Sequence, residues 1–268
     1  MEMRFVSLFQ PFGTDIFCLG KKFLVFNMVS RNIKIKYRRS ILGLFWTLLN
    51  PMALAAIYYF VFKVILKIQV PHYLVFILSG VLSWNFFAGT LVEGMESIVG
   101  NFGLVSKVPV PLQIFPYVGA ITNLVTLFFA LPILVGAAII SKATIGPSIV
   151  LLLFYWGALF FIGYGFSLLM AILFVYFRDL RHIMGIVVQL WFYGTPVIYN
   201  ETMVPEKFRW ILALNPLGYV FSGIHEVLVE GRWPPTGQLL IVCAWVTLML
   251  ALTLIIQKHF TTAVVERI

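Results

Sequence analysis

The sequence predicts an all-α membrane protein with six transmembrane helices, an N-terminal amphipathic interface helix, and a short re-entrant helical hairpin between spans five and six. Three observations lead there. Hydrophobic residues make up 61% of the 268 positions and charged residues only 11%, far from the half-apolar, quarter-charged balance of soluble domains. Six apolar stretches recur along the chain, most of them near the roughly 20 residues a helix needs to cross a bilayer. Finally, thirteen of the nineteen Lys and Arg fall in segments that would share one side of a membrane, and six fall on the other.

From Thr14 or Asp15, both suited to cap a helix, apolar residues recur at Ile16, Leu19, Phe23, Phe26, Ile33 and Tyr37. Asn27, Arg31, Lys34 and Arg38 follow the same period on another face. The pattern fits an amphipathic helix lying in the membrane interface, and equally one packed on a soluble partner. Pro11, Gly13 and Asp15 interrupt the first twenty residues before a signal-length apolar run develops, so no cleaved targeting segment is expected.

The apolar stretches cover 42–62, 73–91, 114–140, 148–176, 183–197 and 239–256. The fourth is long enough to tilt. The fifth is short and runs into Gly194, Thr195 and Pro196, where a helix weakens or bends. Residues 1–40 thus form an N-terminal segment and 41–268 a transmembrane domain. The excess of basic residues sets both termini in the cytoplasm, and Tyr and Trp near the span ends agree with interfacial anchoring. Between spans five and six, 200–237 is unlike the other connections. Pro205 can open a short helix bearing Phe208, Ile211 and Leu212, Asn215-Pro216 breaks it, and a second helix can follow. Two apolar helices too short to cross suggest a re-entrant hairpin on the outer side; a cap resting on the headgroups has the same signature.

Net charge is +9, but the basic residues concentrate at the N-terminus, beside the first span, where they face anionic lipid and fix topology. Nucleic acid is not an expected partner. Catalytic signals are missing. Around Gly13 and Gly20-Lys21-Lys22 six residues separate the glycines where a phosphate-binding loop needs four, and no Ser or Thr follows the lysine. No HExxH, GxSxG or metal-spaced His/Cys cluster occurs, and Cys18 and Cys243 form no framework. A membrane-embedded transferase would need convergent acids or a metal. No ionisable residue sits deep in a span, which argues against a proton-coupled carrier. Glu93 and Glu96, at i and i+3 where the second span ends, are open to two readings, helix-end solubility, or pairing with a partner or the channel mouth. Aromatic rings are plentiful in the spans, and their apolar faces suit sugar rings as well as lipid or helix packing.

The stretch from Lys34 through Lys36, Tyr37, Arg38, Ser40, Leu42, Gly43 and Trp46 to Pro51 resembles the entry into the first span of polysaccharide-exporting ABC transporter permeases, the group handling O-antigen, teichoic acid and capsule. Phe177-Arg-Asp-Leu-Arg-His182, Thr195-Pro-Val-Ile-Tyr199 and Asn215-Pro216 match in the same order. The resemblance implies a non-catalytic permease of the bacterial inner membrane, paired as a homodimer and bound to two cytoplasmic ABC ATPase subunits. Those subunits would hold ATP and Mg, this chain no cofactor, and a lipid-linked polysaccharide, O-antigen foremost, would cross. An ATP-independent secondary exporter or channel is the alternative.

Under this resemblance, candidate conduit residues are Tyr37, Arg38, Trp46, Tyr59, Trp84, Phe87, Trp191, Tyr193 and Tyr199. Arg38, with Arg39, would either bind a substrate pyrophosphate or anchor the span. Asn101, Val105, Ser106, Lys107, Val108 and Pro109 are candidates for coupling to the ATPase. Pro205, Phe208, Ile211, Asn215 and Pro216 are candidates for an outer gate.

Overall fold

A computed structural model describes residues 19–38, 42–105, 110–143 and 146–265, and among them every regular element is helical. A 3-10 turn leads into α1 (Lys22–Tyr37). Then come α2 (Trp46–Ile65), which turns π-helical over Tyr59–Ile65, α3 (Tyr73–Gly100) and α4 (Ile114–Ile140). They are followed by α5 (Leu151–Tyr176), α6 (Leu180–Tyr193), α7 (Arg209–Leu214), α8 (Pro216–His225) and α9 (Thr236–Val265). Among the described residues, five helical segments are long and apolar enough to cross a membrane: α2, α3, α4, Pro147–Tyr176 and Thr236–Lys258.

The sequence pattern gives the fifth crossing as an apolar stretch over 183–197, but the helix there has only 14 residues and stops at Tyr193. Pro196 is the physical reason, since it lacks a backbone N–H and disfavours helical geometry in the residue before it. At 1.5 Å per residue, α6 measures about 21 Å, short of a ~30 Å hydrocarbon core. The crossing is nevertheless completed. Arg181, at the start of α6, pairs with Glu96 at 2.7 Å, and the Tyr73 hydroxyl donates to the Ile198 carbonyl at 3.0 Å. Along α3, Tyr73 and Glu96 are about 35 Å apart. The short helix and its irregular tail therefore cover the same distance as the long helix beside them.

Segments Glu206–Leu214 and Pro216–Glu230 meet at a 101° bend. Asn215 at the bend bonds to Trp191 and Gly194, the Phe221 ring lies 6.1 Å from Trp84, and His225 stacks on Phe76 at 3.7 Å. Since Trp84 lies about 12 Å further along α3 than Phe76, α8 rises from mid-helix level back toward the start of α3. The pair is a re-entrant hairpin, not a further full span.

Packing sets α3 and α5 at the centre. In α3, 78% of the apolar window is buried, and in the segment ending α5 67%, against 11% in α2. Small residues let the inner helices close up: Gly94 sits against Ser167, and Gly163 against Thr90 and Phe87. At one end of the bundle, α1 buries Val25, Met28 and Val29 against residues of α4 and α5. This differs from the face the apolar period marks, since Phe23 and Phe26 are 79% and 71% exposed. Val25, Met28 and Val29 are buried against the protein, while the Phe rings stay exposed, Phe26 at the edge of the groove between α1 and α4.

A polar cleft beside the entry helix

Between the end of α1, α2, α3 and α4 lies a cleft of 460 Å³. Gly43 forms the corner leading into α2, with φ +47, a left-handed value that favours glycine. That corner sets the exposed Trp46 ring on the cleft wall beside Tyr37 of α1. Amides and a hydroxyl complete the lining: Asn50 from α2 itself, and Asn85, Asn123 and Thr126 from the bundle side. Asn123 belongs to an otherwise apolar stretch of α4 and is held by its own helix, donating to the Gly119 carbonyl at 3.1 Å.

Glu93 closes the α1 end of the cleft. One carboxylate oxygen accepts from Lys36 at 2.8 Å and the other from the Asn123 amide at 2.8 Å, so a single side chain of α3 ties α1 to α4. One helical turn on, Glu96 pairs with Arg181 of α6 at 2.7 Å, and Asn101, just beyond α3, accepts from Arg31 of α1 at 2.7 Å. Both carboxylates are thus paired within the chain, Glu93 with Lys36 and Asn123 and Glu96 with Arg181. Three bridges at one end of α3 thus hold both α1 and the start of α6.

The conduit candidates fall in three places. Tyr37 and Trp46 line the cleft, and Arg38 is exposed just past the end of α1. Trp84 and Phe87 are buried in a ring cluster with Phe192, Phe221 and Trp191, at centroid distances of 5.3 to 6.1 Å. Tyr59 stands at the far end of α2, 6.2 Å from Tyr73, while the Tyr199 hydroxyl donates to the carbonyl of the exposed Tyr193. Among the coupling candidates, Asn101 carries the bond to Arg31 and Val105 ends a one-turn helix, Phe102–Val105. Ser106, Lys107, Val108 and Pro109 lie outside the described residues.

Among the outer candidates, Pro205 precedes a 3-10 turn, and Phe208 and Ile211 are 45% and 41% exposed on the entering arm of the hairpin. Asn215 and Pro216 are buried at its bend. The Asn215 side chain accepts from the Trp191 indole at 2.9 Å and from the Leu217 N–H at 3.0 Å. It donates to the Gly194 carbonyl at 3.0 Å and the Thr195 hydroxyl at 2.8 Å. This one amide satisfies the backbone where α6 gives out, as irregular structure at membrane depth requires. Sequence reading missed three further groups at this end: His225 under Phe76, and Glu226 and Glu230 bridged by Arg232 at 3.0 and 2.7 Å. No pattern marks them, since the contacts arise from hairpin geometry.

Among the described residues no group of three or more His, Cys, Asp or Glu could hold a metal ion. What the cleft offers is ring faces opposite amides and hydroxyls, a lining that meets both the apolar faces and the hydroxyls of a sugar-like chain. Fold and site together define a multi-pass helical membrane protein with an amphipathic cleft beside its first long helix. Residues 24–229 match the family described as ABC-2 type transporter, and the chain belongs to that family. It is 30% identical over 210 residues to an O-antigen export system permease protein RfbA of Klebsiella pneumoniae, across 76% of this chain and 79% of the relative. A protein of the same name from Myxococcus xanthus is 32% identical over 230 residues, across 82% and 86%.

Proposed function

We propose that this chain is the permease subunit of an ABC exporter that carries a lipid-linked polysaccharide, of the O-antigen type, across the inner membrane. The observation that carries this reading is the aromatic and amide-lined cleft at the entry to α2, in a chain whose relatives bear the name O-antigen export permease. Two copies would pair, with α2 facing the passage, and two cytoplasmic ATPase subunits would bind at the α1 end. Basic residues concentrated at that end support placing it, and both termini, in the cytoplasm. Closure of the ATPase pair would press on α1 and on the 101–109 connection. The Glu93 and Glu96 bridges would pass that motion to α4 and α6.

The test is complementation. In a strain that makes the glycan but lacks this gene, expression of the chain restores surface polysaccharide, and loses that ability when the partner ATPase carries a Walker A lysine substitution. Surface polysaccharide restored with the disabled ATPase would favour the secondary exporter instead, and glycan left on the inner face in both strains would overturn export.

A further inference from the structure

We propose that the groove beneath α1 is a seat for one anionic phospholipid of the surrounding bilayer. The groove has a volume of 540 Å³ and runs between α1 and α4. From α1 come Val25, Val29 and Ile33; from α4 come Tyr117, Ile121 and Val125, at i, i+4 and i+8 on one helix face. Lys22 and Lys34 stand at its rim, both exposed, and neither takes part in an ion pair among the described residues.

Shape and charge choose the occupant. A helix with its side chains is about 10 Å across, so this volume would take roughly one turn of one. That excludes a partner helix and suits a flexible hydrocarbon chain. Tyr117 lies near the start of α4 and Val125 about 12 Å further into the bundle. Lys22 and Lys34 are about 18 Å apart along α1, so each stands at its own end of the groove. An acyl chain lying there would cover the apolar side chains of α1 and α4 while the phosphate meets the lysine at the end where it enters. An uncharged-headgroup lipid would fill the same space without the second interaction.

The full-length chain, purified in mild detergent and delipidated, is titrated with dioleoyl-phosphatidylglycerol or dioleoyl-phosphatidylcholine and followed by native mass spectrometry and thermal unfolding. One phosphatidylglycerol should bind in preference and raise the unfolding midpoint. Each juxtamembrane lysine is worth about fivefold in affinity for an anionic surface. The double variant Lys22→Gln, Lys34→Gln, which removes the phosphate's lysine whichever end it enters, should therefore bind phosphatidylglycerol about fivefold more weakly while holding phosphatidylcholine as before. Ile121→Trp, which fills the groove, should abolish both adducts without altering the unlipidated midpoint. Equal retention of the two lipids by the unaltered chain, or an undiminished phosphatidylglycerol adduct in the glutamine variant, would overturn the proposal. So would stabilisation of the same size by glycerol phosphate alone, which would make the site one for free phosphate.

Discussion

Glu93→Gln isolates the bridge from α3 to α1. The Lys36 and Glu93 side chains are 36% and 44% exposed, so water screens the pair and leaves it worth about 0.5 kcal/mol. The bond from Asn123 survives, because a glutamine oxygen still accepts, but it loses its charge assistance, about 1 kcal/mol. Only the first loss bears on α1, because the Asn123 bond joins α3 to α4: about 0.5 kcal/mol is removed from the docking of α1, roughly a twofold change in the docked-to-undocked ratio. Hydrogen exchange in lipid nanodiscs reads this directly. Amides of residues 27–37 should exchange about twofold faster, with those of α5 unchanged. Lys36→Gln, which removes the same pair from its other side, should accelerate the same amides to the same extent. Unchanged exchange of α1 in Glu93→Gln, or acceleration there with none in Lys36→Gln, would refute the assignment of Glu93 as the clamp.

Asn215→Ala strips four hydrogen bonds from the junction of α6 and the hairpin. With at least two buried groups left unpaired, the cost is about 3 kcal/mol, or roughly 6–12 °C in unfolding midpoint for a chain of this size; a shift below about 2 °C would contradict the role given to this amide. Gly80→Ala sets a methyl group against the Val197 backbone carbonyl, which cannot turn aside, at a cost of about 1–3 kcal/mol. Gly136→Ala on α4 meets nothing within 4 Å and should be neutral or slightly stabilising. Identical midpoints for the two glycine variants would show that the segment after α6 does not press on α3.

Local signals in the sequence are those that one helix produces alone. Apolar runs of span length mark α2, α3, α4, α5 and α9 because lipid-crossing helices need them wherever they pack. The Asn215-Pro216 break marks the hairpin because proline at the first helical position and asparagine before it form a start signal. The length of α6 was harder to read. Its apolar character continues to Val197, and only the backbone chemistry of Pro196 ends the helix. On α1 the period was legible but the buried face was not, since Phe and Val both count as apolar and the groove alone decides between them. The bridges of Glu93 and Glu96 join residues 57 and 85 positions apart. Spacing on α3 placed the carboxylates at one helix end; their partners became visible only once α1 and α6 were folded against it.

The sparse burial of α2 has a mechanical consequence. Hydrocarbon tails are as apolar as the leucines they touch, so exchanging lipid for protein along its flank changes the free energy little in either direction. The restoring force on this rod is therefore concentrated at its anchorages, the glycine corner at one end and the π-helical turn at the other. Displacing such an element sideways costs mainly the packing of Pro51 and Ala55 on its inner face, and it leaves the α3–α5 interior closed.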